Sequence, residues 1–445
     1  SDISTYIGGG GGSFTATADG AISAGDLVAL KSDGDIEKCE AIQTGKAFGT
    51  FSNPNATEIG TDTGSQYFGA CGFDPDNNKI AVGYRDDNNN SYPTIALGHI
   101  TSASNHTLSF GTPVTVESTA MTGPGTLGGP LVYDTNVDRF VFTYFTSSGV
   151  RAVVFTVNDA ASNTITKGSA QAIDNSTSGY GGTIFDSNAN RVLVAYEDTD
   201  DSNKLITQAF TARGGSDNDI QDVGAKFEIT ANTAAPALCF DSNDNKVMIV
   251  YRNTADSNYP YARALTIDSS DNSITGGTAV RLSNTAALLN YSDKAPVVVH
   301  DSAKNQNVYY GQQSSYNGAE ILPFTSELTD SMELGSHVAG HYDPDSGKIV
   351  LFHGYSGMWV FVGTLSGSGS SLEFTLESKA KLANKNGADG GGYLSYLSSC
   401  YDTNSNKSFL TYKSGSYDVG IFGLLPTIPK NATEFIGFAN DAITN

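Results

Sequence analysis

Residues 70–86 read ACGFDPDNNKIAVGYRD, and this stretch decides the fold. Two short apolar segments flank the polar turn DPDNN, a pattern typical of an antiparallel β-hairpin. The first segment ends in an aromatic residue and Asp74, whereas the second begins at Lys79 and reaches Tyr84 ten residues after the aspartate. The stretch therefore predicts two paired strands whose Asp, basic and Tyr positions can be traced through the rest of the chain.

The same hairpin pattern occurs seven times. Its aspartates recur about every 55 residues, a period typical of propellers, solenoids or repeat arrays. A basic residue stands five positions after the aspartate in six copies, and the fifth copy has Gln306 there. The repeats favour one large closed domain over two or three separate ones. The seven aspartates are Asp74, Asp134, Asp186, Asp241, Asp301, Asp343 and Asp402.

The copies contain segments for up to four strands and no helical period. In the first copy these segments are YFGACGFD, KIAVGYRD, PTIALGHI and LSFGTPVTVES. The seventh copy lacks a fourth segment, and a strand-like stretch within residues 44–60 can complete it. Such closure removes open sheet edges, which invite aggregation. We therefore predict an all-β fold, a seven-bladed β-propeller with four-stranded blades, with an open β-solenoid as the alternative.

Segments at both ends of the chain fall outside the repeats. Residues 13–42 contain apolar runs joined by Asp-Gly turns, which is a hairpin signal. We predict that residues 1–43 form a small β module and that the propeller spans residues 44–430. Residues 431–445 form no blade, and we predict that they return to the N-terminal module.

The repeated residues have simple predicted roles. The aspartate is expected to accept hydrogen bonds from the turn backbone as an Asx-turn, and the basic residue is expected to face it across the hairpin. The strand-ending tyrosine is expected to pack between blades; His353 replaces it in the sixth copy, and it shifts to about Tyr310 in the fifth. Small residues such as Gly72 and Gly181 predict crowding where the first strands converge on the ring axis.

Composition and charge argue against several classes of partner. The formal net charge of −22 disfavours nucleic acid and an anionic membrane face. No apolar run approaches the roughly 18 residues of a membrane helix, and the N-terminal residues lack a secretory signal pattern, so we expect a chain made in the cytoplasm. Cys71, Cys239 and Cys400 lie in equivalent strands, which predicts buried thiols rather than a metal cluster or a disulfide framework.

Patterns for catalysis and metal binding are weak. Arg85 and Arg252 end second strands, and Glu197-Asp198 could be read as glycosidase carboxylates, but we expect that pair in a solvated loop. The Asp-rich turns place oxygen atoms as calcium loops do, yet no distal glutamate follows at the required distance. We therefore predict no enzyme and no cofactor, with a glycosidase and weak surface calcium as the alternatives.

A binding surface is predicted on the loops that follow the second strands. These loops carry tyrosines among Asn, Ser and Asp, which suits sugar rings or a protein receptor. The alternative is that the tyrosines only fasten the third strand against the next blade. The negative charge favours a neutral or cation-bridged glycan, or a protein, over a polyanion. The candidate binding residues are Tyr92, Tyr259, Tyr261, Tyr316, Tyr355 and Tyr417.

The repeat FDPDNNKIAVGYRDDNNNSYPTIALGHI, followed by LSFGTPVTVES, resembles the propeller repeats of marine bacteriophage virion and tail-fibre-like proteins. The flanks AGDLVALKSDGDIEKC and EFIGFANDAITN are similar to modules that bracket such propellers. The resemblance implies a fibre, tail or capsid appendage on the virion surface, which contacts other virion proteins as a homo-oligomer and presents a propeller face to a host-surface glycan or protein. The alternatives are a propeller-type glycan-processing enzyme and a purely structural decoration or assembly protein.

Overall fold

The computed structural model consists of β-strands and two short 3₁₀ helices, Asp87–Asn89 and Thr254–Asp256, within the residues it describes. Two compact units divide the chain, one formed by Ser1–Thr50 with Gly423–Asn445 and the other by Phe51–Phe422. No helix among the described residues has the length and apolar character needed to cross a membrane. The described residues are 2–6, 13–19, 27–31, 36–38, 66–102, 107–122, 131–176, 178–215, 218–230, 233–282, 296–312, 317–322, 337–354, 357–367, 373–384, 395–413, 417–422 and 432–438.

The smaller unit contains one sheet built from both ends of the chain. Its strands are β1 (Asp2–Tyr6), β2 (Ser13–Asp19), β3 (Leu27–Lys31), β4 (Ile36–Lys38) and β35 (Ala432–Phe438). They are ordered β1-β2-β4-β3-β35, and β35 runs antiparallel to β3 with Leu27 opposite Phe438. The boundaries proposed for this module, at residues 43 and 431, stay predictions.

The larger unit is a β-propeller arrangement of antiparallel sheets, in which the first three strands of each sheet pair in succession. The first sheet contains β5 (Gln66–Asp74), β6 (Lys79–Asp86), β7 (Tyr92–Ser102), β8 (Thr107–Phe110) and β9 (Val114–Thr115). The second contains β10 (Leu131–Asp134), β11 (Arg139–Thr146), β12 (Gly149–Asp159), β13 (Thr164–Lys167) and β14 (Gln171–Asp174). The third contains β15 (Ser178–Asp186), β16 (Arg191–Asp198), β17 (Lys204–Arg213), β18 (Asp219–Gln221) and β19 (Phe227–Thr230).

The remaining sheets follow in chain order. The fourth contains β20 (Thr233–Asp241), β21 (Lys246–Asn253), β22 (Tyr259–Ile267), β23 (Ile274–Gly276) and β24 (Val280–Arg281). The fifth contains β25 (Val297–Asp301), β26 (Gln306–Gln312) and β27 (Asn317–Leu322). The sixth contains β28 (His337–Asp343), β29 (Lys348–Gly354), β30 (Gly357–Ser366) and β31 (Glu373–Asn384). The seventh contains β32 (Ser395–Asp402), β33 (Lys407–Lys413) and β34 (Tyr417–Phe422).

The prediction of seven four-stranded blades is wrong. Within the described ranges, five sheets reach four or more strands and form complete blades, whereas the fifth and seventh sheets have three strands each. Four of the complete blades hold five strands, because their outer strand is split into two short strands that both pair with the third. The stretch proposed to close the ring, residues 44–60, lies outside the described residues.

A glycine interrupts each split outer strand. Its amide donates a hydrogen bond to a third-strand carbonyl of the same sheet. In two blades, a Cβ at Gly111 or Gly224 would overlap the backbone oxygen of Asn163 or Asn272 in the next sheet, so the close approach requires glycine. The interrupting glycines are Gly111, Gly168, Gly224 and Gly277, with N···O distances of 2.8–2.9 Å.

The predicted Asx-turns are confirmed in all seven hairpins. One carboxylate oxygen accepts hydrogen bonds from the amides two and three positions later. In the first copy the amides of Asp76 and Asn77 donate to Asp74 at 2.9 and 3.0 Å. The same bonds are made by Asp134, Asp186, Asp241, Asp301, Asp343 and Asp402.

Apolar side chains fill the contact between neighbouring sheets, here called a seam. Tyr144 lies in the first-to-second seam with Ile95 of the first sheet and Phe142 of its own sheet. Tyr196 and Tyr251 belong to the clusters at the next two seams. Each of these tyrosines is at most 1% exposed, which confirms that strand-ending tyrosines pack between blades.

The fifth copy places its tyrosines differently from the prediction. Tyr310 belongs to the seam with the sixth sheet, where its hydroxyl lies 2.9 Å from Nδ1 of His353. Tyr309 instead faces the fourth sheet, and its hydroxyl fills the space that a Cβ on Gly311 would need. The strand-ending tyrosine of the other copies stands ten residues after the aspartate, and in this copy that position is Gly311. Tyr309 is two residues earlier and therefore on the same face of the strand, so its ring occupies the space that the missing tyrosine would fill.

The basic residue of the hairpin stands opposite the aspartate, as predicted, since the two residues pair across the hairpin in six copies. In three of these copies, however, its side chain bonds the side chain of an asparagine in the next sheet. Each asparagine is nearly buried and has a left-handed backbone, with φ between 43° and 60°. These three residues, called the seam asparagines, tie neighbouring sheets together through buried polar contacts. The pairs are Lys79 with Asn163, Arg139 with Asn218, and Arg191 with Asn272.

Candidate binding face

Three loops that follow second strands share one backbone conformation: residues 86–92, 198–204 and 253–259. Each begins with a residue whose side-chain oxygen accepts a hydrogen bond from the backbone amide two positions later. Each also contains two consecutive residues with a left-handed φ. We call them the capped loops. The capping residues are Asp86, Asp198 and Asn253. The left-handed pairs are Asn90–Ser91, Ser202–Asn203 and Ser257–Asn258, with φ between 54° and 66°.

The local sequence explains this conformation. Asp, Asn and Ser caps hydrogen-bond nearby amides, and Asn tolerates a left-handed backbone better than most residues. The loop of the third sheet, DTDDSNK, is absent from the sequence-based prediction of binding loops, because Asp198 is there interpreted as part of a carboxylate pair with Glu197. Its Ser-Asn dipeptide before the third strand matches the one in NTADSNY of the fourth sheet, and that match was the available signal.

The capped loops present different chemistry on the same backbone. The first residue of the third strand pairs with the cap in every case, and the outer strand brings a side chain against the loop or against that first residue. Constant backbone with variable side chains is the arrangement expected of a selective surface. The side-chain pairs are Asn89 with Thr115, Lys204 with Glu228, and Tyr259 with Arg281.

The fourth sheet carries the most developed group, formed by Tyr259, Tyr261, Asp256 and Arg281 and called the Tyr259 cluster. The Arg281 guanidinium lies 3.3 Å from the centroid of the half-buried Tyr259 ring, a cation–π contact. The Tyr261 hydroxyl donates to Asp256 at 2.6 Å, and this carboxylate raises the pKa of Tyr261. Asp256 also lies 3.8 Å from Arg281, so the cation that covers the Tyr259 ring has a carboxylate beside it.

The other capped loops are fastened by their own polar contacts. In the first sheet Arg85 forms an ion pair with Asp87 at 2.6 Å, and Asn89 donates to Thr115 at 3.0 Å. In the third sheet Lys204 lies 3.0 Å from Asp201 and 3.2 Å from Glu228. These contacts therefore hold the loop conformation in the absence of a ligand.

The structure brings only part of the predicted binding set together. Tyr259 and Tyr261 lie two residues apart on one strand, and Tyr92 holds the position of Tyr259 in the first sheet. Tyr261 also stacks on buried Tyr251 of the adjacent strand in its own sheet, with ring centroids 6.1 Å apart. Tyr417 begins β34 opposite Lys413. The binding role stays a prediction for all six residues, and the two that lie outside the described residues are Tyr316 and Tyr355.

Glu197 and Asp198 do not lie in a solvated loop, so that expectation is wrong. They are 8% and 2% exposed. Asp198 caps its loop and accepts a hydrogen bond from Lys226 at 2.9 Å, which makes it structural. Burial raises the pKa of Glu197 to about 7, and the positive charge of Arg252 opposes part of that rise. Glu197 therefore has a proton that it can exchange near neutral pH.

We expect Glu197 to make stability fall as pH rises. The folded protein keeps this proton up to about pH 7, whereas the unfolded chain loses it near the ordinary value of 4.5. The folded state thus binds more protons between these values, and its free energy of unfolding should drop by about 2–3 kcal/mol from pH 4.5 to 7.5. Urea titrations of Glu197→Gln should lack that drop. The control is Glu228→Gln at an exposed ion pair, and equal pH profiles for wild type and Glu197→Gln would contradict the prediction.

Two further features bear on ligands. A cavity of about 180 Å³ lies where the first strands meet, and all seven sheets line it, mostly with apolar groups and with Cys71, Thr183 and Ser398 as polar ones. Within the described part of the chain, no three His, Cys, Asp or Glu side chains group closely enough to hold a metal ion. The expectation of no cofactor stays a prediction.

Comparison with known proteins shows a similarity of fold. No protein-family model matches the chain, and no curated protein matches it by sequence. A structure of a protein from Lactobacillus plantarum has a TM-score of 0.50 at 9% identity, covering 82% of this chain and 98% of that one. Saccharomyces cerevisiae Sqt1 has a TM-score of 0.45 at 9% identity, and the match covers 86% of this chain and 100% of that one. An oligogalacturonate lyase from Vibrio parahaemolyticus has a TM-score of 0.44 at 12% identity, and the match covers 84% of this chain and 96% of that one. The first of these likenesses supports an all-β propeller arrangement.

Proposed function

We propose that this protein is a non-enzymatic binding propeller whose ligand contacts the capped loops. The single observation that carries the proposal is the repeated loop backbone with a different side-chain pair on each copy. A purely structural constraint would repeat the side chains with the backbone, as the Asp turns at the opposite end of the sheets do. Variation confined to the loop side chains favours selection for recognition.

The loops suit recognition energetically. Their caps and ion pairs hold the backbone, so binding orders few additional groups and loses little affinity to conformational entropy. Tyr92 and Tyr259 are half-buried aromatics, which supply contact area at low entropic cost. The net charge of −22 repels polyanions, so the proposed ligand is a neutral or cation-bridged glycan or a protein.

The biological setting remains the one implied by the resemblance of the repeats to phage virion proteins. We propose a fibre, tail or capsid appendage on the virion surface, homo-oligomeric and in contact with other virion proteins, that presents the capped loops to a bacterial host. The propeller fold and the braced loops support this role. The resemblance adds the setting.

The test is Tyr259→Ala, measured on an array of neutral bacterial surface glycans and by attachment to bacterial cells. We expect a loss of about tenfold or more, because the substitution removes the ring and with it the cation–π contact with Arg281, with the melting temperature nearly unchanged. Ser187→Ala, exposed at the Asp-turn end of the third sheet, is the control and should bind normally. Unchanged binding with a large drop in melting temperature would show that Tyr259 only packs.

A glycan-processing enzyme is the second candidate, because Glu197 has a pKa of about 7 beside Arg252. A carboxyl of this kind can act as a general acid toward a glycosidic oxygen. The array eluates can be scored for released sugar. Release by the wild type that is lost in Glu197→Gln would favour the enzyme; binding without release favours the non-enzymatic proposal.

A further inference from the structure

Two thiols meet where the ring of sheets closes. Cys71 lies on β5 of the first sheet and Cys400 on β32 of the seventh, and these two strands contact each other although the chain does not join them directly. Neither cysteine forms a disulfide in this structure. The seam between the first and last sheets therefore contains two reduced thiols from opposite ends of the propeller sequence.

The contacts between the two strands place the thiols side by side. The Cys71 amide donates to Oγ of Ser398 at 3.3 Å, and the Cys71 sulfur lies 3.6 Å from the same oxygen. Ser398 and Cys400 point to the same side of β32, being two residues apart. Cys400 packs with Cys71 and Phe409 in one cluster. The neighbouring Cys71 thiol, together with burial, raises the pKa of Cys400.

We propose that Cys71 and Cys400 form a redox clasp, a disulfide that closes the first-to-seventh seam covalently under oxidising conditions. The oxidant is a peroxide. It converts one thiol to a sulfenic acid and releases one water; the second thiol then attacks that sulfur, the S–S bond forms, and a second water leaves. Two thiols and one hydrogen peroxide thus give one disulfide and two waters.

Cys239 provides a contrast within the same fold. It stands two residues before Asp241, as Cys400 stands two residues before Asp402, and it is buried at a seam, whereas Cys400 is partly buried. Its thiol faces Asn307, donating to Oδ1 at 3.4 Å, where Cys400 faces another thiol. Burial raises the pKa of Cys239 as well. Cys239 therefore has the strand position of Cys400 without a thiol partner.

The clasp would act at the seam between the two ends of the propeller sequence. The other seams join sheets that follow one another along the chain, whereas the contacts described across the first-to-seventh seam, such as the Cys71–Ser398 hydrogen bond, are noncovalent. A disulfide there closes a very long loop, and such links restrict the unfolded chain most. Thiols stay reduced in the cytoplasm and oxidise outside it, so the clasp would be set after the protein leaves a reducing compartment.

The test uses the full chain carrying Cys39→Ser, so that three cysteines remain. Folded protein is treated with hydrogen peroxide, denatured with excess iodoacetamide, digested without reductant and analysed by mass spectrometry. We expect a linked peptide pair containing Cys71 and Cys400, an alkylated Cys239, and a melting temperature that rises by about 5 °C and returns after dithiothreitol. Adding Cys400→Ser should abolish the link and the rise, whereas adding Cys239→Ser should keep both.

Two results would overturn the proposal. In one, Cys71 and Cys400 are recovered as alkylated thiols or as sulfinic acids after a peroxide dose that fully oxidises an exposed control thiol. In the other, the disulfide forms but the melting temperature stays the same, which would remove the clasp function. Mass spectrometry of the Cys39→Ser chain decides the first point even where a further serine substitution fails to fold.

Discussion

Replacing Tyr144 by alanine is expected to lower the free energy of unfolding by about 4–5 kcal/mol, the largest effect we predict. The side chain is fully buried in the first-to-second seam, with the Phe142 ring centroid 5.4 Å away. Its hydroxyl donates to Glu117 of the first sheet at 2.6 Å. Alanine leaves a cavity between two β-sheets, whose paired backbones can collapse into it only in part.

The measurement is urea unfolding followed by circular dichroism, with Tyr144→Phe as the matched control. Phenylalanine keeps the ring and removes one hydrogen bond to a carboxylate, so we expect a loss of about 1–2 kcal/mol. Glu117 keeps its ion pair with Arg151 at 2.6 Å, which limits that loss. Similar losses for Ala and Phe would show that the hydroxyl, and not the packing of the ring, holds the seam.

Replacing Asn272 by alanine is expected to cost about 3–4 kcal/mol. Asn272 is 1% exposed and belongs to the fourth sheet. Its side-chain oxygen accepts from Arg191 of the third sheet, and its side-chain nitrogen donates to the Asp222 carbonyl and, at 3.2 Å, to Thr211. Alanine removes all three bonds and leaves both the Arg191 guanidinium and the Asp222 carbonyl without their amide partner.

Asn203→Ala is the matched control for backbone strain. Its φ of 56° is close to the 60° of Asn272, but Asn203 is exposed in a capped loop. We expect this control to lose only about 1 kcal/mol, the cost of a left-handed alanine. The same urea series measures both variants. A loss at Asn272 no larger than the loss at Asn203 would mean that backbone conformation, and not the bond to Arg191, explains the effect.

The two variants probe different parts of a seam. Tyr144 tests the apolar filling, and Asn272 tests the polar tie at the end where the basic residues lie. The fourth sheet lacks this tie within the described residues, since Lys246 donates to Thr266 of its own sheet at 2.7 Å. The sheet on the other side of that seam comes from the fifth copy, whose sequence departs most from the repeat. It has Gln306 at the position of the basic residue and Gly311 at the position of the tyrosine.

The sequence by itself determined the features that depend on a few neighbouring residues. Asp74 and its six equivalents accept hydrogen bonds from the backbone amides of their turns, because an Asx-turn closes within three residues. Tyr144, Tyr196 and Tyr251 are buried because strand alternation assigns them to a face that a neighbouring blade must cover. The sequence also predicted buried thiols, because the three cysteines lie in equivalent first strands; Cys71 and Cys239 are buried, whereas Cys400 is partly exposed.

Only the tertiary structure decided which residues meet across a seam. The partner of Arg191 is Asn272, far along the chain, and no local pattern distinguishes this bond from a bond to Asp186. The choice of Tyr309 over Tyr310 depended on the space above Gly311, and the split outer strands depended on how closely Gly224 approaches the next sheet. These outcomes are set by packing between sheets, because a contact between distant residues is selected by the space and the unpaired polar atoms that the assembled fold leaves.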